Sequence, residues 1–569
     1  MNKNLYKGAL LCLSFLCASG STYAHAMSRD GMNPLAIGNT EGKAGAITDN
    51  GVTITESKGW LESAYIKWKP IAGAQSYRVY IKGGQYSDYT AIDTELIRSY
   101  DGYMRADIPG LQAGSYMLKV AAVKDGIERL SGEAKGLEVK NYRREGFAHK
   151  GYSGVGAYNN DGSLKAGAVV IYVNRANAKT VSARLNGKTF TGLQAILNAY
   201  QKGNITTPLA VRVLGLIKSG ETDAFGSKIE GIQIKGKGPD SEMNITIEGI
   251  GEDATIYGFG FLVRNSKSVE FRNLGIMRAM DDGISVDTDN SNIWIHHIDI
   301  FYGKSGGGDH IKGDGAIDVK TNSKFVTIDH CHFWDTGKSS MCGMKSESGP
   351  NYITYHHNWF DHSDSRHPRV RTMSVHMWNN YYDGCSKYGI GATMGSSVFS
   401  ENNYFRSTKS PILISRQGTD AKGLGTFSNE AGGMVKEYGS IFADISLGGS
   451  YAPITYAADH KSFDFYQAAS REEKVPTFVT SLSGGNTYNY NNFDTTPSLM
   501  YPYTPDATNL IPSLVTGYYG AGRLNHGALQ FKFDNTVEDT NHTPIPALEA
   551  LIDAYADKQH LKGSYLSPL

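Results

Sequence analysis

The chain has 569 residues, with 66 glycines, only 17 prolines, and a formal net charge of zero from 56 basic and 56 acidic side chains. Glycine without a triplet period excludes a collagen-like helix, and 40% hydrophobic with 11% aromatic residues exclude simple disorder. Because the charges balance, we expect no nucleic-acid partner and no attraction to an acidic membrane surface. A polyanionic ligand would have to be bound by a local site.

The N-terminus has the pattern of a secretory signal peptide. Lys3 and Lys7 precede a short apolar run, and Ala24–Ala26 provides a small-x-small cleavage site. Cys17 leaves a lipoprotein open, but the leucine before it disfavours that cleavage. No later stretch approaches the ~20 apolar residues of a membrane span. We therefore expect residues 1–26 to be removed from an exported protein, which is secreted, periplasmic or held at the cell surface.

Residues 51–142, after a linker at 27–50, form a distinct region in which apolar and polar side chains alternate between Gly and Pro positions. Runs such as Ala64–Trp68 and Tyr77–Ile81 predict antiparallel strands. The spacing of these runs, and of a third at Leu111–Val120, resembles a fibronectin type III β-sandwich. A carbohydrate-binding module and a spacer or packing module both stay open, and we favour the second.

Residues 143–569 are expected to form the second domain, which begins with a short helical segment and continues as a repeat. Apolar residues at helical spacing in Gly192–Tyr200 predict a helix that packs into the core. Six later segments share one template: Asn273–Ile276, His297–Ile300, His330–Phe333, His357–Phe360, Asn379–Tyr382 and Asn402–Phe405.

The spacing of these segments predicts the fold. Their last residues lie 24, 33, 27, 22 and 23 residues apart, and each segment follows a short alternating strand such as Val326–Ile328. A period in the low twenties with strands and no helices between them indicates a solenoid. The predicted fold class is all-β: a right-handed parallel β-helix preceded by a small β-sandwich, with a C-terminal tail around Tyr501–Asp506 that packs on the solenoid.

The Asn, His and Cys residues of the repeat are predicted to be structural. Stacked amides and imidazoles can satisfy turn backbone groups from rung to rung. His357 stands in a row that otherwise holds Asn, so we predict a ladder member rather than a base. Cys331, Cys342 and Cys385 show no zinc-type spacing and are expected to be small buried hydrophobic residues.

Acidic side chains gather where the longer rungs carry extra loop. Asp281 and Asp282 precede a predicted strand, and Asp314 and Asp318 lie four residues apart on the next rung. Residues one rung apart stack about 5 Å apart, so Asp282, Asp314 and Asp318 are expected to converge. Three carboxylates without Cys or His suit a hard cation such as Ca²⁺. An isolated DGxxD pattern is more often a turn or a solvated surface.

A basic cluster, Lys338, Arg366, Arg369 and Arg371, is expected to face these acids. Alone, such a cluster is more typical of a solvated surface. Beside a calcium site it predicts a strip that binds a polyanion with regularly spaced carboxylates, because Arg pairs with carboxylates in a bidentate manner.

The combined motifs resemble those of one enzyme family. They are WIHH (294–297), DGAIDVK (314–320), VTIDHCHFWDTGK (326–338), ITYHHNWF (353–360), RHPRVR (366–371) and VHMWNNYY (375–382). Over residues of roughly 150 to 430, the chain resembles the pectate lyases of polysaccharide lyase family 1. The resemblance implies a parallel β-helix that cleaves polygalacturonate by calcium-assisted β-elimination.

The resemblance also implies roles for individual residues. Asp282, Asp314 and Asp318 match the calcium ligands, with Asp281 as a further candidate. Lys338 and Arg371 match the contacts to substrate carboxylates, and Arg366 matches the catalytic base.

Two departures from the family pattern bear on the site. His296 replaces a usual Asp that is not a metal ligand, so the metal site should survive. Residues 339–344 lack the family's aliphatic-Gly-His-Ser-Asp run, which puts the local substrate contacts in doubt more than the chemistry.

Three other functions stay open. A pectin lyase would act on methylated pectin without calcium, and a β-helical glycoside hydrolase would use two carboxylates as acid and base. A non-catalytic polysaccharide-binding solenoid is the third. We expect a monomer whose partner is polygalacturonate or pectin.

Overall fold

The computed structural model describes residues 46–422, 427–430, 432–444, 452–483, 486–524, 529–558, 561–564 and 567–568. The predicted signal peptide at residues 1–26 lies outside the described residues, as does the predicted linker up to residue 45. The last five linker residues form a strand, Ala46–Asn50, that pairs antiparallel with Ile127–Val139. They belong to a sheet rather than to connecting chain. None of the helices in the described ranges has the length and apolarity needed to cross a membrane.

The N-terminal region consists of two antiparallel sheets around one apolar core. The first sheet contains Ala46–Asn50, Ile127–Val139, Gly114–Lys124, Ser76–Gly83 and Tyr86–Ala91, in that order. The second contains Ile54–Gly59, Ser63–Trp68, Met104–Pro109, Ile97–Ser99, Gly563–Ser564 and Ser567–Pro568. Trp68 and Tyr77 meet edge-to-face in the core, with ring centroids 5.3 Å apart. Membership of the fibronectin type III family stays a prediction.

The rest of the chain winds into a parallel β-helix, which confirms the predicted fold. One eight-stranded parallel sheet contains Gly231–Lys235, Gly260–Arg264, Ile284–Asp287, Ile317–Lys320, Met341–Cys342, Arg369–Arg371, Ile390–Thr393 and Ile412–Ile414. This sheet is called the site sheet below, because the candidate site lies at its edge.

A second, eighteen-stranded parallel sheet forms the other faces of the β-helix, and most rungs contribute two strands to it. Its strands are Val169–Val173, Leu209–Lys218, Ser241–Tyr257, Ser266–Arg272, Gly275–Met277, Ser291–His296, Asp299–Ile300, Lys324–Asp329, His332–Trp334, Ile353–His356, Trp359–Asp361, Ser374–Trp378, Tyr381–Asp383, Ser397–Glu401, Tyr404–Arg406, Met434–Tyr438, Ile441–Ala443 and Tyr466–Gln467. Two small antiparallel pairs, Ser182–Leu185 with Lys188–Thr191 and Thr480–Ser483 with Asn486–Asn489, lie outside it.

The six predicted segments stack in register, and their repeated residues form ladders. Phe333, Phe360, Tyr382 and Phe405 pair along successive strands and fill the core. In the adjacent buried row, the Asn380 amide donates to Asn403 Oδ1 at 3.0 Å. The first residue of each segment is Asn or His in the left-handed conformation, with φ between 48° and 55°. Such residues tolerate this conformation better than most, which explains the Asn/His choice at each turn.

The structure bears on three further predictions about the β-helix. His357 stacks on His330 with ring centroids 4.8 Å apart, as a ladder member would. The helix Leu193–Asn198 packs its apolar side chains into the main core, as predicted. The three cysteines Cys331, Cys342 and Cys385 are free and buried, in agreement with their interpretation as small hydrophobic residues.

The C-terminal segment returns along the outside of the β-helix. It contains two helices, Ile511–Val515 and Pro546–Asp557, and the strand Gly563–Ser564 that pairs with Ile97–Ser99 of the sandwich. Near its start, the Tyr501 hydroxyl accepts a hydrogen bond from the indole of Trp378 at 3.0 Å. The segment therefore contacts both the solenoid and the sandwich.

Candidate active site

The predicted site residues lie on strands of the site sheet or in the turns that lead into them. Asp281 and Asp282 precede the strand Ile284–Asp287. Asp314 precedes the strand Ile317–Lys320, which contains Asp318. Lys338 precedes Met341–Cys342, Arg366 precedes Arg369–Arg371, and Arg371 ends that strand. Parallel bridges from Gly315 to Lys338 and from Lys338 to Ser365 align three successive turns. Parallel stacking thus brings together residues that are separated by about one rung each.

Three carboxylates form a cluster that could hold a cation. Oxygens of Asp281, Asp282 and Asp314 all lie within 4.8 Å of one another. Burial and the neighbouring Asp318 carboxylate raise the pKa of Asp282 to about 8. Burial and Asp314 also raise the pKa of Asp281. Repulsion among closely spaced carboxylates is the condition that a bound divalent cation would relieve.

Asp318 lies beside this cluster rather than within its closest group. Its Oδ1 accepts the backbone N–H of Met341 at 2.8 Å, and its Oδ2 lies 3.7 Å from the Lys320 ammonium. Lys320 also donates to Asp282 Oδ2. The ammonium group of Lys320 therefore neutralises part of the negative charge of two predicted ligands. A group of carboxylate oxygens that already holds one positive charge is suited to bind a cation.

Lys338 is oriented toward the acidic cluster. Its Nζ lies 2.7 Å from Asp314 Oδ1 and 3.4 Å from Asp309 Oδ2, and it donates to His310 Nδ1 at 3.1 Å. Burial alone would raise the pKa of Asp314, but the hydrogen bond and the charge of the Lys338 ammonium lower it by more, so the pKa lies below its ordinary value. The Lys338 side chain is only 3% exposed, so these partners hold its position.

Arg366 is the most exposed of the four basic residues in the cluster. Its backbone is in the left-handed conformation, with φ of 63°, and its carbonyl accepts the N–H of Ser340 at 2.7 Å. This turn leaves the guanidinium 18% exposed, with Nη2 3.7 Å from Asp309 Oδ2. The geometry brings Arg366 and Lys338 to the same carboxylate.

Arg371 has a partner that sequence reasoning missed. Its Nε and Nη2 lie 2.9 and 3.3 Å from the Glu430 carboxylate, and its Nη1 donates to the Gly343 carbonyl at 3.0 Å. Arg369 contacts the same carboxylate at 3.1 Å. Burial raises the pKa of Glu430, but Arg371 and its neighbours lower it to about 2, so the carboxylate is charged.

Two histidines near Arg366 are poorly placed to act as bases. His362 is buried; burial lowers its pKa, but hydrogen bonds to Asp361 and Asp539 raise it to about 10, so it is protonated at neutral pH. His367 is fully buried, and burial lowers its pKa to about 3. His296 lies on the eighteen-stranded sheet, where it stacks on Trp294, away from the cluster.

The residues that were missed differ in the signal they carried. Lys320 is two residues after Asp318 on one strand and therefore shares its face, a signal that the sequence contained. Asp309 lies in a glycine-rich loop without any periodicity. Glu430 lies 59 residues after Arg371, and no spacing rule connects the two.

Comparisons with known proteins agree with this architecture. A family profile described as pectate lyase matches residues 150–524, more than half of the chain. The pectate trisaccharide-lyase of Bacillus licheniformis is 31% identical over 229 residues, which span 40% of this chain and 64% of that relative. Pectate lyase B of Dickeya chrysanthemi is 25% identical over 362 residues, spanning 59% of this chain and 86% of the relative.

One solved structure to which the chain is similar is described in these terms. The crystal structure of a pectate lyase from Bacillus sp. N165, in complex with trigalacturonate, is 22% identical and has a TM-score of 0.47; the match covers 67% of this chain and 99% of that one. The sequence alignment with the Bacillus licheniformis enzyme spans less than two thirds of that relative's length. The family profile covers most of the β-helix of this chain. The chain belongs to the pectate lyase family.

Proposed function

We propose that this protein is an exported, calcium-dependent lyase that cleaves polygalacturonate by β-elimination and releases unsaturated oligogalacturonides. The observation that carries the proposal is the alignment of an acidic cluster and a basic cluster along one edge of the site sheet. A second basis is membership of the pectate lyase family. Export rests on the signal-peptide pattern of residues 1–26.

The acidic cluster has the donor set that a calcium ion requires. Asp281, Asp282 and Asp314, with Asp318 beside them, would hold the ion through carboxylate oxygens. A bound Ca²⁺ would supply charge neutralisation and polarise a substrate carboxylate, which makes the neighbouring C–H bond more acidic. It would also compete with Lys338 for Asp314, one of the three partners of the Lys338 ammonium, and so make that ammonium more available to a polyanion.

The basic residues would bind the substrate and move its proton. Lys338 and Arg371 would pair with uronate carboxylates through charge-assisted hydrogen bonds. Arg366, as a neutral guanidine, would take the C5 proton; the C5–H electrons form the C4=C5 double bond, the C4–O bond breaks, and water protonates the departing oxygen. Arginine is an unusual general base, because a guanidinium group is ordinarily protonated in proteins. This role rests on the family resemblance.

Three alternatives predict different chemistry. A pectin lyase would act without calcium, a glycoside hydrolase would give saturated products, and a non-catalytic binder would give none. The buried, protonated state of His362 and the burial of His367 argue against a histidine base in any of them.

The test is the ultraviolet absorbance of the unsaturated product, measured on polygalacturonate with calcium and with excess chelator. We expect absorbance only with calcium, and a far lower rate on highly methylated pectin, whose esters cannot accept the bonds of Lys338 and Arg371. The Arg366→Lys variant is the matched control for turnover. Full activity in chelator would favour a pectin lyase, and reducing ends without absorbance would favour a hydrolase.

A further inference from the structure

Two arginines stand side by side on one strand of the site sheet. Arg369 and Arg371 are two residues apart in Arg369–Arg371, so their side chains leave the same face of the strand. Both contact one carboxylate: Glu430 Oε2 lies 3.1 Å from Arg369 Nη2 and 2.9 Å from Arg371 Nε. Glu430 thus bridges the two guanidinium groups.

The bridging carboxylate is itself held in place. The Ser428 hydroxyl donates to Glu430 Oε2 at 2.9 Å, and the Lys345 ammonium lies 3.4 Å from Oε1. The Glu430 side chain is only 11% exposed, whereas Lys345 is 75% exposed. The Ser428 hydroxyl therefore orients the Glu430 carboxylate, whereas the exposed Lys345 lies on its solvent side; together with Arg369 and Arg371 the cluster carries a net positive charge.

The two arginines differ in how many donors they commit. Arg371 uses Nε, Nη1 and Nη2 on Glu430 and the Gly343 carbonyl. Arg369 donates through Nη2 alone among the contacts that the described residues make, to Glu430 and Ser428. A guanidinium has five N–H donors, so Arg369 retains more capacity for a further acceptor than Arg371 does. Arg371 alone would neutralise the Glu430 carboxylate, so charge balance does not explain the presence of Arg369.

We propose that Arg369 is a second substrate-binding residue, which pairs with the carboxylate of the uronate next to the one bound by Arg371, and that Glu430 is a positioning residue that holds the two guanidinium groups side by side. This inference rests on the proposed function. It extends the carboxylate-binding strip by one sugar and explains why an acid lies among groups that bind an anionic polymer: the acid orders two flexible side chains before the substrate arrives.

The test uses the full-length protein and four substitutions: Arg369→Gln, Arg369→Lys, Glu430→Gln, and Lys345→Gln as the matched control, because Lys345 contacts Glu430 from the solvent side. On polygalacturonate we expect Arg369→Gln to raise KM about 10-fold with kcat within about 2-fold, as the loss of one charge-assisted contact predicts. Glu430→Gln should raise KM by a similar factor, and Lys345→Gln should change KM less than 2-fold. Arg369→Lys, which retains the charge but not the fork, should be intermediate.

A second measurement separates this inference from the proposed function. Binding of a galacturonate oligomer is measured by calorimetry with each substitution in the slow Arg366→Lys background. If the wild-type protein released no unsaturated product, the lyase proposal would fail, but the binding comparison would still test Arg369. An unchanged affinity in Arg369→Gln overturns its role, and tighter binding in Glu430→Gln shows that Glu430 competes with substrate instead of positioning the arginines.

Discussion

Single charged residues at the site depend on their partners. Asp282 is buried and shares the Lys320 ammonium with Asp318; burial first, and then repulsion from Asp318, raises its pKa. Removing one carboxylate lowers that repulsion and at the same time removes a ligand. Protein stability and calcium affinity should therefore respond in different directions to the same substitution.

The first prediction concerns Asp318, because the acid is at the edge of the carboxylate group. Asp318→Ala should raise the calcium concentration needed for half-maximal activity at least 10-fold, since an oxygen ligand is lost. Thermal unfolding without calcium should shift little or upward, because relief of the repulsion with Asp282 opposes the loss of the Met341 and Lys320 contacts of Asp318. Activity is titrated against calcium in buffered chelator. An unchanged calcium requirement would remove Asp318 from the ligand set.

The second prediction compares Arg366 with the two nearby histidines. Arg366→Lys should lower kcat by ~10² or more while folding and calcium binding stay nearly unchanged, because proton abstraction is lost. His362→Ala and His367→Ala should cost much less in kcat when measured on the folded fraction. The wild-type rate should continue to rise above neutral pH. If a histidine variant lost kcat and Arg366→Lys retained it, that histidine would be the base.

At the scale of elements, the loop from Gly303 to Gly313 positions two acids of the site. Its ends approach closely: the Gly303 N–H donates to the Lys312 carbonyl at 3.0 Å. Below this neck, the buried Lys312 ammonium lies 2.5 Å from Asp335 and 2.7 Å from Asp364. The loop therefore has a rigid base, and its tip carries Asp309 toward Lys338 and Arg366.

The third prediction tests this neck. A Cβ at Gly313 would lie 2.5 Å from the Gly303 Cα, and its φ of +100° is unfavourable for any other residue. Gly313→Ala should therefore lower kcat/KM at least 10-fold, because the adjacent Asp314 is displaced.

The control for this prediction is Gly308→Asn, at a φ of +55° with open space around the Cβ. Asn tolerates that conformation, so activity should change less than 2-fold. Melting temperatures of both variants are measured alongside activity. Equal losses of activity in the two variants would show that the tip, rather than the neck, controls the site.

At the scale of the whole molecule, the sandwich and the C-terminal segment are attached to the β-helix by buried polar contacts. Arg98 of the sandwich pairs with Asp107 and donates to the Ile250 carbonyl at 2.7 Å. In the C-terminal segment, Asp539 lies 3.2 Å from His362 Nε2 and 2.7 Å from Arg406. Separating one partner of such a pair would leave an unpaired buried charge, which is strongly destabilising. We therefore expect the sandwich, the β-helix and the C-terminal segment to unfold together.

The fourth prediction is a pH dependence of that attachment. The folded-state pKa of His362 is about 10, above its ordinary value of about 6.5. Its contribution to stability is therefore complete below about pH 6.5 and is lost as pH rises toward 10, on the order of 3–5 kcal/mol in all. Denaturant unfolding at pH 6.5, 8 and 10 measures this loss. His362→Gln should flatten the dependence over that interval, and an unchanged slope would contradict the assignment.

The amino-acid sequence by itself determined the repeat and which charged residues lie together at the candidate site. The period of Asn273–Ile276 and its five later copies predicted the β-helix, since each rung repeats the same local requirements for an apolar core residue and a left-handed turn residue. The same rung spacing placed Asp282, Asp314 and Lys338 on one edge, because parallel stacking converts a sequence period into a spatial neighbour.

Only the tertiary structure decided how these charges are paired and how the ends of the chain are used. Glu430 reaches Arg371 across 59 residues of chain, and Gly563–Ser564 joins a sheet that begins at Ile54–Gly59. Such contacts depend on where loops and the C-terminal segment pack, and no local periodicity encodes this. Local pattern predicts what repeats, whereas contacts between non-repeating segments are selected by packing and charge complementarity over the whole molecule.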